Sequence, residues 1–102
     1  VVAAREAMAD ATVQHADLAT VEVDEPTAVG ALALVDDLAL ERELVNPNGG
    51  PLAFGDLAAG GGLRALTAAA HRLRRAPDAH GLVISAGVGL GAAVVLRGTA
   101  GR

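Results

Sequence analysis

The seventeen residues from Asn46 to Gly62 cannot form one regular element, and they divide the chain. Asn46-Pro47-Asn48-Gly49-Gly50-Pro51 holds two prolines, which lack a backbone donor, and two glycines free to take positive φ. Gly60-Gly61-Gly62 is again permissive backbone. Connections of this length in compact domains usually carry function. Regular structure is therefore expected on either side, with the site-forming residues in or beside this stretch.

Ahead of it, Val1 to Ala11 reads as an Ala-rich helix with Val1, Met8 and Ala11 sharing a face. Asp10 to Asp17 is a connection. Thr20-Val21-Glu22-Val23 alternates and is β-branched, as a short strand requires. Asp24 is expected to cap a second helix, with Pro26 in its first turn. That helix runs to about Leu40 and places Val29, Leu32, Val35 or Asp36, and Ala39 at helical spacing, leaving Asp36 and Asp37 solvated.

Beyond the loop, Leu63, Leu66, Ala70 and Leu73 form an apolar stripe that predicts a helix burying that face. Arg72, Arg74 and Arg75 close it with charge of the favourable sign, and Pro77 stops it. A phosphate-gripping role for this basic cluster is the less economical reading beside a solvated helix end. Gly81 to Ser85 and Ala92 to Arg97 are strand-like, and the turn chemistry of residues 87–91 joins them as a hairpin. The expected order is helix, strand, helix, long loop, helix, strand, strand. This is an α/β fold with a mixed sheet, packed helices and a C-terminal antiparallel hairpin, in one domain over residues 1–102.

Composition narrows the function. Hydrophobic residues make up 52% of the chain, yet Phe54 is its single aromatic, so the core must be aliphatic. Small Ala and Gly side chains add little apolar area each, which favours a domain that leans on a partner surface. There is no cysteine, which removes disulfides, thiolate chemistry and cysteine–metal sites. Eight arginines and no lysine face twelve acidic residues, a net charge of −4; with no stacking aromatics this argues against nucleic-acid binding. No apolar run approaches a membrane span and no signal peptide is apparent, so the cytoplasm is the expected compartment.

Familiar glycine motifs fail on inspection. A P-loop needs a lysine. Gly87-x-Gly89-x-x-Ala92 has only ten residues after it, too few for a dinucleotide-binding unit. The nucleophile-elbow pattern around Ser85 has Val83 where glycine is needed. A Ser-His-Asp triad of Ser85, His71 or His80, and Asp56 is open by residue type alone.

Taken together, Val45-Asn46-Pro47-Asn48-Gly49-Gly50, Leu52-Ala53-Phe54-Gly55 and Gly62-Leu63-Arg64, followed by a helix with a basic end, resemble the thiolase family's C-terminal half. The family pattern there is Asn-x-Asn-Gly-Gly, then Ala-(hydrophobic)-Gly-His-Pro, then Gly-Ala-Arg. Val23-Asp24-Glu25-Pro26-Thr27-Ala28 lies where thiolases have Asn-Glu-Ala-Phe-Ala, and Ser85-Ala86-Gly87-Val88-Gly89-Leu90-Gly91 where they have Cys-x-Gly-x-Gly-x-Gly. The resemblance runs from about Val1 to Arg97. The related ketosynthase branch fits less well, because residues 46–50 match the thiolase pattern better.

The resemblance implies half of a fold in which two α/β halves enclose a buried helix layer, and an activity of acyl transfer between coenzyme A thioesters. It implies no metal and no cofactor beyond a coenzyme A thioester as possible substrate. It places the covalent nucleophile on the other half, and the acid/base cysteine, a histidine and an oxyanion-hole asparagine on this one. At those positions stand Ser85, Asp56 and Asp24; Gly87, whose backbone N–H the family uses, is kept. An alcohol does not exchange protons near neutrality as a thiol of pKa about 8.5 does. A carboxylate accepts hydrogen bonds and repels an oxyanion. The expectation is a domain catalytically incompetent alone, a fragment or subunit without the family's first strand. It would dock on a protein partner, such as a thiolase N-terminal half, or on a second copy. The competing expectation is an acyltransferase in which Asp24 and Asp56 converge as an acid/base pair.

Overall fold

The computed structural model describes residues 1–24 and 27–101. Its elements follow the expected order: α1 (Val2–Asp10), β1 (Leu18–Asp24), α2 (Ala28–Asp37), a one-turn α3 (Pro51–Phe54), α4 (Gly61–Leu73), β2 (His80–Gly87) and β3 (Leu90–Arg97), with short 3-10 turns between. The sheet order is β1-β2-β3. β1 and β2 run parallel across the α4 crossover, and β2 and β3 are antiparallel.

Strand parity decides what each sheet face meets. Successive strand residues point to opposite faces. Val21 and Val23 of β1 join Leu82 and Ile84 of β2 in one core, packed with Ala4 and Met8 of α1 and Val35 of α2. The opposite face carries Thr20, Glu22 and Asp24 on β1 and Gly81, Val83 and Ser85 on β2. It is covered by α4, whose Ala65 and Ala69 pack on Val83.

That second face corrects the helix reading. The expected buried stripe was Leu63, Leu66, Ala70 and Leu73. The helix instead turns Ala65, Ala69 and Leu73 inward, with Leu66 partly buried and Ala70 exposed. Leu63 is 70% exposed. Small side chains let the helix approach the sheet closely, and at Gly81 a Cβ would stand 3.1 Å from both Leu73 Cδ1 and Thr20 Cγ2. Size complementarity, and not hydrophobicity alone, set the helix's rotation.

Other boundaries also differ. In α1 the buried residues are Ala4 and Met8, with Val1 and Ala11 exposed. Asp24 is not a cap: it is the last residue of β1, and Thr27 caps α2 by accepting from Gly30 N. Pro26 lies outside the described residues. Helix α2 ends at Asp37; Val29, Leu32 and Ala39 are exposed, while Val35, Leu38 and Leu40 are buried. Gly61 and Gly62 are not loop but the first turn of α4. The hairpin turn is tighter than expected: Gly87 pairs with Leu90, leaving Val88 and Gly89, and Gly89 supplies φ +73°.

Within the long connection, Asn46 works as a surrogate strand. At φ 45°, its N–H donates to Val21 O at 2.8 Å. Its side-chain amide accepts from Val23 N at 2.7 Å and donates to Val23 O at 3.0 Å. The free edge of β1 is thus closed where the strand approaches Asp24.

Candidate functional site

Parallel α/β sheets open their crevices at the carboxyl ends of the strands. Here those ends are paired in register: Asp24 of β1 lies opposite Ser85 of β2. Parity turns both toward the first turn of α4. Ser85 Oγ donates to Asp24 Oδ2 at 3.3 Å. Gly61 packs against the Asp24 carboxylate so closely that any Cβ there would collide with it. Ser85 Oγ is 3.7 Å from where a Cβ on Gly62 would stand. The partial positive charge of the α4 N-terminus therefore has a carboxylate of the chain's own as its neighbour.

Around this pair lies an open cleft of about 440 Å³, whose wall includes Ala58, Gly62, Gly87, Leu90 and Ala92. Its polar side chains are Asp24 and Ser85. Asp56 does not line it. The Asp56 carboxylate is exposed and accepts from Ala58 N at 2.7 Å, a local turn in which Ala58 takes φ 48°. The structure thus brings together Asp24, Ser85 and Gly87 and holds Asp56 on the adjoining loop, so the expected meeting of the two aspartates is not formed. A carboxylate two residues ahead of a free N–H closes its own turn more readily than it reaches across a cleft.

The triad reading is overturned by distance. Ser85 sits beside the first turn of α4, whereas His71 is nine residues on from Gly62, about 13 Å along the axis at 1.5 Å per residue. His80 begins β2, five residues from Ser85, about 16 Å at strand rise. Neither histidine reaches the serine.

Beneath α4 the structure holds a polar group that strand alternation did not single out. Glu22 is 1% exposed. Its Oε2 lies 3.6 Å from Arg64 Nη1, and Thr20 Oγ1 donates to its Oε1 at 3.4 Å. Arg64 in turn covers the Phe54 ring, 5.2 Å from the centroid. Burial pushes the Glu22 carboxyl above its usual value near 4.5, with Arg64 and the Thr20 hydrogen bond pulling the other way. The signal in the sequence is an acid flanked by valines in an alternating strand.

Among the described residues no three His, Cys, Asp or Glu side chains gather as a metal site. No helix there is long and apolar enough to cross a membrane.

The fold, a parallel strand pair crossed by a close-packed helix with a hairpin beyond it and a cleft at the helix N-terminus, defines a thiolase-type half-domain. Residues 1–98 match the family model described as thiolase, C-terminal domain, and the chain belongs to that family. It is 36% identical over 83 residues to the 3-oxoadipyl-CoA/3-oxo-5,6-dehydrosuberyl-CoA thiolase of Escherichia coli, covering 78% of this chain and 21% of that protein. The chain thus spans about a fifth of the length of the curated relatives it matches. Among solved structures it superposes on a thiolase from Ascaris suum in complex with coenzyme A with a TM-score of 0.86, at 24% identity over 95% of this chain and 25% of that one. The dimeric peroxisomal thiolase of Saccharomyces cerevisiae gives 0.75, at 29% identity over 91% and 23%. A 3-oxoacyl-(acyl carrier protein) synthase III from Pseudomonas aeruginosa gives 0.72, at 22% identity over 96% and 30%, a likeness of fold.

Proposed function

We propose that this chain is the C-terminal half-domain of an acyl-CoA-handling protein, acting docked against a second α/β half and unable to perform thiolase chemistry alone. The observation that carries the reading is the Ser85–Asp24 hydrogen bond of 3.3 Å at the α4 N-terminus. At the positions where the resemblance implies a proton-shuttling cysteine and an asparagine donor, the cleft holds an alcohol and a carboxylate acceptor. A carboxylate there would oppose the negative charge that develops on an enolate or tetrahedral oxygen. Asp56, at the histidine position, is engaged with its own loop. Docking is supported by the outward face of α4, where Leu63, Thr67 and Ala70 are exposed on a helix that the sheet covers on its other side. The likeness to whole thiolases, each about four times longer, supports the same reading.

The test is direct. Incubated with acetoacetyl-CoA and coenzyme A, the 102-residue chain should give no thiolysis above the uncatalysed rate. Turnover that disappears in Ser85→Ala would overturn the proposal in favour of an acyltransferase working through the substituted residues.

A further inference from the structure

A second, larger concavity of about 790 Å³ lies at the other end of α4, between the helix and the β1 edge. Its charged lining has one sign. His71, Arg72, Arg74 and Arg75 contribute from the helix, with Asn48 from the long connection and Ala19 from β1. No carboxylate lines it, although the chain carries twelve acids against eight arginines.

Cations at a helix C-terminus ordinarily need no further account, because they complement the last carbonyls. Here that account is incomplete. The backbone satisfies those carbonyls itself: Ala70 O accepts from Arg74 N, Arg72 O from Arg75 N, Leu73 O from Ala76 N and Ala76 O from Ala79 N. The guanidinium hydrogen bond in this region runs elsewhere, from Arg72 Nε to Ala19 O at 3.1 Å, which ties the helix to β1 and fixes Arg72 in the wall. Arg74 and Arg75 are exposed and form no ion pair or side-chain hydrogen bond among the described residues. Gathering three guanidinium groups around one hollow costs mutual repulsion unless an anion enters. Planar guanidinium forks match the paired oxygens of phosphate, and the Asn48 amide in the same lining can add a neutral donor.

We infer that the cleft formed by Asn48, His71, Arg72, Arg74 and Arg75 is a binding site for a diphosphate-bearing ligand, separate from the Asp24–Ser85 cleft. Arg74 and Arg75 supply the charge, Arg72 is the fixed wall, and Asn48 adds a neutral donor. The site stands on this chain's own residues and does not depend on the role given to the other cleft.

The experiment titrates the chain with inorganic pyrophosphate and, separately, with ADP, by calorimetry at constant ionic strength held with chloride. Saturable pyrophosphate binding is expected, weakened about tenfold or more in Arg74→Gln/Arg75→Gln. The Arg5→Gln/Arg42→Gln pair, which removes the same charge from outside the cleft, should bind as the parent does. Equal affinities would assign the site to free diphosphate, and tighter ADP binding to a nucleotide carrying it. Absence of saturable binding by either probe would overturn the inference. So would equal weakening in both double variants, since that marks a net-charge effect without a site. Neither the Arg74 nor the Arg75 side chain is bonded among the described residues, so unchanged thermal melting of their double variant confirms that a loss of binding is local.

Discussion

At the residue scale, Glu22 and Asn46 carry most of the consequence. Glu22 is a buried acid whose folded pKa lies above its unfolded value, so the folded state binds its proton more tightly than the unfolded chain does. Its contribution to stability is fully present below the usual value near 4.5 and is lost as pH rises through the raised folded value. Relative to Glu22→Gln, the parent should therefore gain stability as pH falls across that window and show no further change on either side. Urea unfolding of both proteins across pH 4 to 8 checks it, and a difference that moves the opposite way would contradict the burial. Asn46 satisfies both backbone groups of Val23. Asn46→Ala strands these partly buried partners and should cost about 1–3 kcal/mol in the same assay. Asn46→Asp keeps the acceptor but loses the donor to Val23 O, and should also be destabilising.

At the element scale, α4 explains both clefts. Its N-terminus meets Asp24 and Ser85, its C-terminus presents the arginines, and its inner face is Ala65, Ala69 and Leu73. Because the sheet is approached closely, enlarging that face is damaging. Ala69→Leu should destabilise the chain by about 1–3 kcal/mol through overpacking. Leu63→Gln, on the exposed outer face, should change the stability of the isolated chain by no more than about 0.5 kcal/mol. Thermal unfolding of the two variants separates them. Equal losses would mean that α4 is rotated toward the face the leucine spacing suggested. Spacing alone could not resolve this, because Leu63, Leu66, Ala70 and Leu73 form as good a helical stripe as Ala65, Ala69 and Leu73. The choice rests on the small, polar surface offered by Thr20, Glu22 and Gly81 beneath the helix.

At the scale of the whole molecule, the two faces of the sheet are unequal. One holds an aliphatic core shared by α1, α2 and the strands; the other holds α4, with apolar surface still turned outward. The layer on the α4 side is left open, which is why docking belongs to the proposed function. The order of elements, the terminal hairpin and the family were all legible in the sequence, because strand alternation, glycine and proline punctuation and motif order are local properties that survive without neighbours. So was the alternation that puts Thr20 and Glu22 on one face, though the strand's extension to Asp24 was not. The register that sets Asp24 against Ser85 was not legible, nor was the local turn that holds Asp56 away, nor the rotation of α4. The register and the rotation are decided by which surfaces fit at close range, and complementarity between segments fifty to sixty residues apart has no signature within either one. The Asp56 turn is a local choice of hydrogen-bond partner that residue type alone leaves open.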